Sequence, residues 1–194
     1  MKKWVTILVV LGFACISNAL PIPFSDNFDS ENGGVGQLNY AGFANWTVVD
    51  GTVDLIGNGF WDFIPGHGLY VDMDGSTGNP GQMLSSSLFA LQPGTYTLTF
   101  DLAGNQSLSA PADPVTVQMN MGALFSNTYT LANNAPFTTF TETIIVTSAT
   151  LASLTFEGVG SDNIGMLLDN VTFVPEPMTL ALLGFGGLLL RRKK

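Results

Sequence analysis

Gly94-Thr-Tyr-Thr-Leu-Thr-Phe-Asp-Leu102 decides the fold class. Along an extended chain Tyr96, Leu98, Phe100 and Leu102 point one way, and Thr95, Thr97, Thr99 and Asp101 the other. A period of two belongs to a strand with one face in a core and the other in water. Pro93-Gly94, just before it, is a turn signal. Outward along the chain, Val115, Val117, Met119 and Met121 alternate with Thr116, Gln118 and Asn120. Leu154 and Phe156 alternate with Thr155 and Glu157. Further strands are expected at 46–49, 52–56, 69–73, 82–91, 124–131, 137–147 and 166–173. Turn signals separate them, among them Asp50-Gly51, Asn58-Gly59, Asp74-Gly75 and Asn133-Asn134. No stretch between Leu20 and Val174 has helical periodicity, and no fixed-period repeat suggests a solenoid. The expected fold is all-β, an antiparallel β-sandwich of about ten strands.

The charge distribution is as uneven as the hydrophobic pattern is regular. The 194 residues carry 15 acidic and 6 basic side chains. The basic ones are Lys2, Lys3, Arg191, Arg192, Lys193 and Lys194, so Trp4 to Leu190 contains neither Lys nor Arg. An average domain of that length would hold roughly 20. A chain without basic side chains cannot neutralise phosphates, so nucleic acid is not an expected partner. It also lacks the Lys and Arg of phosphoryl-transfer sites. The single Cys, Cys15, allows neither a disulfide framework nor a Cys-based zinc site.

Both ends read as addresses. Met1-Lys2-Lys3 precedes an apolar run of 13 residues, Trp4 to Ile16, and then Ser17-Asn18-Ala19. This is the pattern of a secretory signal peptide, with cleavage expected after Ala19. The implied partners are the Sec translocon and signal peptidase. At the other end Val174-Pro175-Glu176-Pro177 leads into an apolar run from Met178 to Leu190 and the basic tail Arg191-Arg192-Lys193-Lys194. Counted from Val174 the run is 17 residues, the lower limit for a membrane-crossing helix. The basic tail would stay on the cytoplasmic side. Pro175 and Pro177 keep the backbone before them extended, the form a protease cleft accepts. The expected organisation is a signal peptide at 1–19, a sandwich at 20–173 and a C-terminal segment at 174–194. A signal helix and a transmembrane helix would flank the sandwich.

The motif Pro175-Glu176-Pro177, the Gly-containing apolar stretch 180–190 and the basic tail, in that order behind a signal peptide, resemble the PEP-CTERM sorting signal of Gram-negative bacteria that make exopolysaccharide. The resemblance implies exosortase as a partner and the inner membrane as a station before processing. Delivery to the cell surface, the outer envelope or the extracellular matrix would follow. A second resemblance rests on Asp26-Asn27-Phe28-Asp29, the strand 94–102 and Leu168-Asp169-Asn170-Val171. Together they resemble jelly-roll domains of PEP-CTERM proteins and galactose-binding-like carbohydrate-binding modules. It implies a jelly-roll sandwich in which the first and last segments lie side by side.

Candidate sites follow. Asp26, Asp29 and Glu31 cluster near the start, and Asp169 lies near the end. If the sandwich joins the ends, these carboxylates could hold a structural Ca²⁺, whose coordination sphere is built from oxygens. Asp72-Met-Asp-Gly-Ser-Thr-Gly-Asn79 looks superficially like a calcium loop but lacks the Glu that closes an EF-hand, so it is read as a turn. Trp46, Phe60, Trp61 and Tyr70 are candidates for stacking on sugar rings, with core packing as the competing reading. His67 has no second His and no Cys to complete a zinc site. Neither does a Gly-x-Ser-x-Gly elbow accompany it for nucleophilic chemistry.

The reading is a non-catalytic, exported surface protein, structural or adhesive in a polysaccharide matrix. Its first alternative is a carbohydrate-binding module with a defined glycan site. A second is a small glycosidase, which needs only two suitably spaced carboxylates. With both ends removed, the domain keeps 14 acids, the 15 less Glu176, and no bases, for a formal charge of −14. Such an object favours neutral glycans and divalent cations as partners.

Overall fold

The computed structural model describes residues 22–77, 79–160 and 162–176. Within them the chain runs through β1 (Phe24–Asp26), β2 (Trp46–Asp50), β3 (Asp54–Gly57), β4 (Leu69–Asp72) and β5 (Gln82–Ser85). Next come β6 (Phe89–Leu91), β7 (Gly94–Ala103), β8 (Val115–Met119) and β9 (Phe125–Tyr129). The last four are β10 (Thr138–Val146), β11 (Thr150–Ala152), β12 (Leu154–Gly158) and β13 (Leu167–Pro175). A single 3-10 turn, Glu31–Gly34, is the helical element of the described residues.

The strands form an antiparallel β-sandwich, as the alternation at 94–102 requires. One sheet runs β10-β7-β13-β4-β3, with β1 also pairing with β13. The other runs β2-β5-β12-β8-β9. In β7, Tyr96, Leu98, Phe100 and Leu102 are buried while Thr97, Thr99 and Asp101 are half-buried on the outer face. Val115, Val117 and Met119 of β8 supply the facing layer. Burying one such side chain contributes about 1.5–3 kcal/mol relative to exposure.

The described residues hold thirteen strands rather than about ten. The stretch 82–91 is two strands, because Ser86-Ser87-Leu88 breaks it. β5 lies in the five-stranded sheet, whereas β6 pairs with β11 in a two-stranded ribbon. β1 and β11 have three residues each, too few to show an alternation.

A second departure positions the site. β3 and β4 are buried on both faces. The inward residues Leu55, Leu69 and Val71 join the main core. The outward residues Ile56 and Tyr70, with Ala103 and Leu167, form a second small core. Phe60, Ile64 and Phe137 close over it, two of them from the segment joining β3 to β4. That segment therefore folds back over its own sheet.

Pairing of β1 with β13, Phe24 opposite Phe173 and Asp26 opposite Val171, sets the first segment beside the last strand. The strand β13 continues into the Pro-Glu-Pro motif. Pro175 sits opposite Tyr96, and Glu176 N–H donates to the Thr95 carbonyl at 2.8 Å. Ala19, Pro177, Arg191, Arg192, Lys193 and Lys194 lie outside the described residues, as do the signal helix and the transmembrane helix expected around the sandwich. Among the described residues no helix is long and apolar enough to cross a membrane.

Candidate functional site

The structure separates the four aromatic candidates for sugar stacking. Trp46 is 2% exposed and packs edge-on against Phe156 and Phe24. Its indole N–H donates to Asp26 Oδ2 at 2.9 Å, so its one polar atom is satisfied inside the protein. Tyr70 is fully buried. Neither presents a face to a ligand, and both are core residues. The causes differ: Trp46 faces the main core between the sheets, whereas Tyr70 faces outward from β4 and is covered by the segment joining β3 to β4. Phe60 is half-buried against the second core.

Trp61 alone of the four is free, at 59% exposed, with Phe63 beside it at a ring-centroid distance of 6.5 Å. Local geometry accounts for this. Gly57 and Phe60 exchange backbone hydrogen bonds, which closes a tight turn. Asp62 Oδ2 then accepts from Gly59 N–H at 3.1 Å, and Asp62 Oδ1 accepts from the Tyr70 hydroxyl at 3.1 Å. The same hydroxyl accepts from Ile64 N–H at 3.0 Å. Burial pushes the Tyr70 hydroxyl up to about 12, and the Asp62 carboxylate adds to the rise, so it stays a donor at neutral pH. Trp61 itself sits at φ 46°, in the left-handed region that bulky residues avoid. Backbone held there against its preference is over-determined by its surroundings, here the Asp62 and Tyr70 bonds.

Trp61 and Phe63 line a cleft of about 190 Å³. Its other lining includes Asp54, Asp72 and Ser76 from the β3–β4 edge and its following loop, and Asn163 from the loop before β13. Asp54 and Asp72 stand opposite each other across the strands. Asp54 Oδ1 accepts from Asn39 N–H at 2.6 Å and Ser76 N–H at 3.1 Å, and Oδ2 accepts from Ser76 Oγ at 2.6 Å. Asp72 Oδ1 accepts from the backbone of Asp74 and Gly165. Burial raises the Asp72 carboxyl well above the usual carboxylate range despite those two bonds, with Asp54 and Asp74 adding repulsion.

The carboxylates assigned from sequence to calcium lie where the first segment meets the last strand. The ends do meet, and Asp29, Asp101 and Asp26 all repel charge on Asp169. Yet the oxygens of each group are taken by donors of the protein. Asp26 accepts from Phe28 N–H, Asn45 Nδ2 and Trp46 Nε1. Asp29 accepts from Asn27 Nδ2 and Leu69 N–H. Glu31 accepts from Ala44 N–H at 2.9 Å and the Tyr40 hydroxyl at 3.4 Å. Asp169 accepts from the backbone and side-chain N–H of Asn170. These four acids organise the N-terminal segment and the last strand.

A different trio converges. Among the described residues, Asp74, Asp113 and Asp162 alone bring three carboxylate oxygens within 4.8 Å of one another. They come from three loops, after β4, before β8 and before β13. Buried Asn105 ties two of these loops, donating to the Pro111 carbonyl at 2.7 Å and to that of Ile164 at 3.3 Å. The trio is hidden in the sequence because its members are far apart in the chain. The one local signal is Asp72-Met-Asp74-Gly75, which has the pattern of a turn. His67, the remaining ionisable oddity, packs on the Phe137 ring at 4.8 Å.

No protein-family model matches the chain, and no curated protein matches it in sequence. Solved structures do share its fold. The carbohydrate-binding module TmCBM61, solved with β-1,4-galactotriose, superposes at TM-score 0.51 and 14% identity, covering 82% of this chain and 99% of that one. The K1 cleaved adhesin domain of Lys-gingipain from Porphyromonas gingivalis W83 gives TM-score 0.51 at 18% identity, covering 80% and 99%. Against the mosquito-larvicidal Cry4Aa toxin from Bacillus thuringiensis, the chain spans 22% of that chain's length, with 67% of its own covered, at 13% identity and TM-score 0.44. At these identities the likeness to the first two shows the fold alone, a β-sandwich.

Proposed function

We propose that the sandwich is a non-catalytic carbohydrate-binding module, carried to the cell surface by the two terminal signals. The observation that carries this reading is the exposed Trp61–Phe63 pair beside a small cleft with polar atoms. A sugar ring has an apolar face that stacks on an aromatic side chain and hydroxyls that need hydrogen-bond partners. Trp61 offers the first, and Ser76 and Asn163 offer the second. Because the domain is acidic and without Lys or Arg, a neutral glycan suits it better than an anionic one.

The glycosidase alternative has its natural pair in Asp54 and Asp72, which face each other in the cleft. Their environments argue for a scaffold. All three hydrogen bonds to Asp54 come from Asn39 and Ser76, which leaves its oxygens committed to holding those loops. A nucleophile or base needs a free lone pair directed at substrate.

For location, the reading rests on sequence: the signal peptide ending at Ala19, the Pro175-Glu176-Pro177 motif and the basic tail at Arg191 to Lys194. They imply export, retention in the inner membrane, exosortase processing and a place in the envelope or the polysaccharide matrix, where a glycan-binding sandwich acts as an adhesive component. A glycan array probed with the full chain in detergent tests the binding function. Saturable binding to a neutral glycan is expected, with β-1,4-galactan the first candidate because the similar TmCBM61 holds β-1,4-galactotriose. Turnover of a polysaccharide, or no binding to any glycan, would overturn it.

A further inference from the structure

Asp74 is 1% exposed, and no donor among the described residues completes a hydrogen bond with either of its carboxylate oxygens. Asp113 is 7% exposed, and its Oδ2 is also unpartnered. An ionised carboxylate without a partner in a buried site is among the costliest arrangements in a protein. Among the described residues there is no Lys or Arg to relieve it by an ion pair. Partial relief comes from the backbone groups of Asp162 and Asn163, which favour the charged form of Asp74.

The space around these oxygens is kept open by a glycine. A Cβ at Gly160 would stand 2.7 Å from Asp113 Oδ2 and 3.0 Å from Asp74 Oδ2. A side chain at position 160 would therefore fill the approach to the carboxylates.

We propose that Asp74, Asp113 and Asp162 hold one divalent cation of calcium size, which locks the loops after β4, before β8 and before β13 at one end of the sandwich. The donor set is all oxygen, which selects a hard cation over zinc or copper. The three oxygens lie within 4.8 Å of one another, close enough to meet on one such ion. Mg²⁺ demands near-ideal octahedral geometry and usually keeps several of its waters, so a largely buried set of protein oxygens drawn from three loops suits the more adaptable Ca²⁺ better. The site is distinct from the Asp26, Asp29, Glu31 and Asp169 group, whose oxygens already have donors. It does not depend on the glycan reading, although Asn163, next to Asp162, lines the cleft.

Thermal unfolding of the full chain in detergent, stripped with EDTA and then titrated with CaCl₂ or MgCl₂ at pH 7, tests the proposal. Calcium at about a hundred times its dissociation constant is expected to raise Tm by about 5–10 °C, and magnesium at the same concentration by far less. Asp113→Asn should lose the calcium shift while its calcium-free Tm equals or exceeds that of the parent, because one repelling charge is gone. Gly160→Ala should also lose the shift through its intruding Cβ. Asp29→Asn, outside the trio, should keep it. Absence of a calcium shift, an equal shift with magnesium, or a shift that survives in Asp113→Asn would overturn the proposal. A shift abolished by Asp29→Asn and retained by Asp113→Asn would place the ion at the N-terminal group instead.

Discussion

The Tyr70 hydroxyl donates to Asp62 Oδ1 at 3.1 Å, and this one bond links the second core to the turn that carries Trp61. Tyr70 is thus a positioning residue. Tyr70→Phe keeps the ring in its pocket and removes a donor to Asp62 and an acceptor for Ile64 N–H. Stability should fall by about 1–3 kcal/mol, the cost of leaving buried partners unpaired. Glycan affinity should fall as well, since Trp61 loses its restraint. Calorimetric titration beside thermal unfolding reads both quantities. A stability loss with unchanged affinity would show that the bond serves the core alone.

The two tryptophans should separate cleanly. Trp46→Ala removes a side chain packed against Phe24, Phe28 and Phe156 and should cost about 3–5 kcal/mol. Trp61→Ala removes an exposed ring and should leave stability within about 0.5 kcal/mol of the parent. Chemical denaturation of both variants checks this. Comparable losses would mean that Trp61 is part of the packing.

Part of this arrangement is legible in the sequence and part is not, for physical reasons that the same residues show. The alternation from Tyr96 to Leu102 specifies a half-buried strand, because a strand's side-chain period is fixed at two. Trp46, Tyr70 and Trp61 look alike in sequence, since being aromatic does not say which sheet face a residue occupies or whether a loop folds back over that face. The segment joining β3 to β4 does fold back, and it turns Tyr70 from a surface candidate into an anchor. The Asp74, Asp113 and Asp162 trio depends on three loops meeting at one end of the sandwich. No local pattern encodes such a meeting.

Asp169 supplies a pH dependence. Burial first, then repulsion from Asp29, Asp101 and Asp26, pushes its carboxyl up to about 7. The folded state therefore binds this proton more tightly than the unfolded state does. Its stabilising contribution is fully present below about pH 4, the usual aspartate value, and is lost as pH rises through about 7. Asp169→Asn, which cannot ionise, should gain stability over the parent at pH 8, and the gain should shrink steadily toward pH 4. Urea midpoints at four or five pH values measure it. A pH-independent difference would mean that Asp169 titrates alike in the folded and unfolded chains.

The proposed sorting motif has a structural corollary. Pro175 and Glu176 extend β13, with Glu176 N–H bonded to Thr95 and its carboxylate accepting from Thr97 Oγ1 at 2.6 Å. A protease acting here must first lift this end from β7. Replacing Pro175 and Pro177 with Ala should block processing, which immunoblotting of membrane and released fractions would show as accumulated precursor. Release at the parental rate would refute exosortase sorting and leave a plain tail anchor.

The central claim is that Trp61 forms the floor of a glycan site. Its most direct test is the affinity of the full chain and of Trp61→Ala for the glycan that the array identifies, measured by calorimetric titration. Loss of a central aromatic contact of this kind should weaken binding about 30-fold or more, with Tm unchanged. Equal affinity in the two proteins would contradict the account and move the glycan, if one binds, to another face of the sandwich.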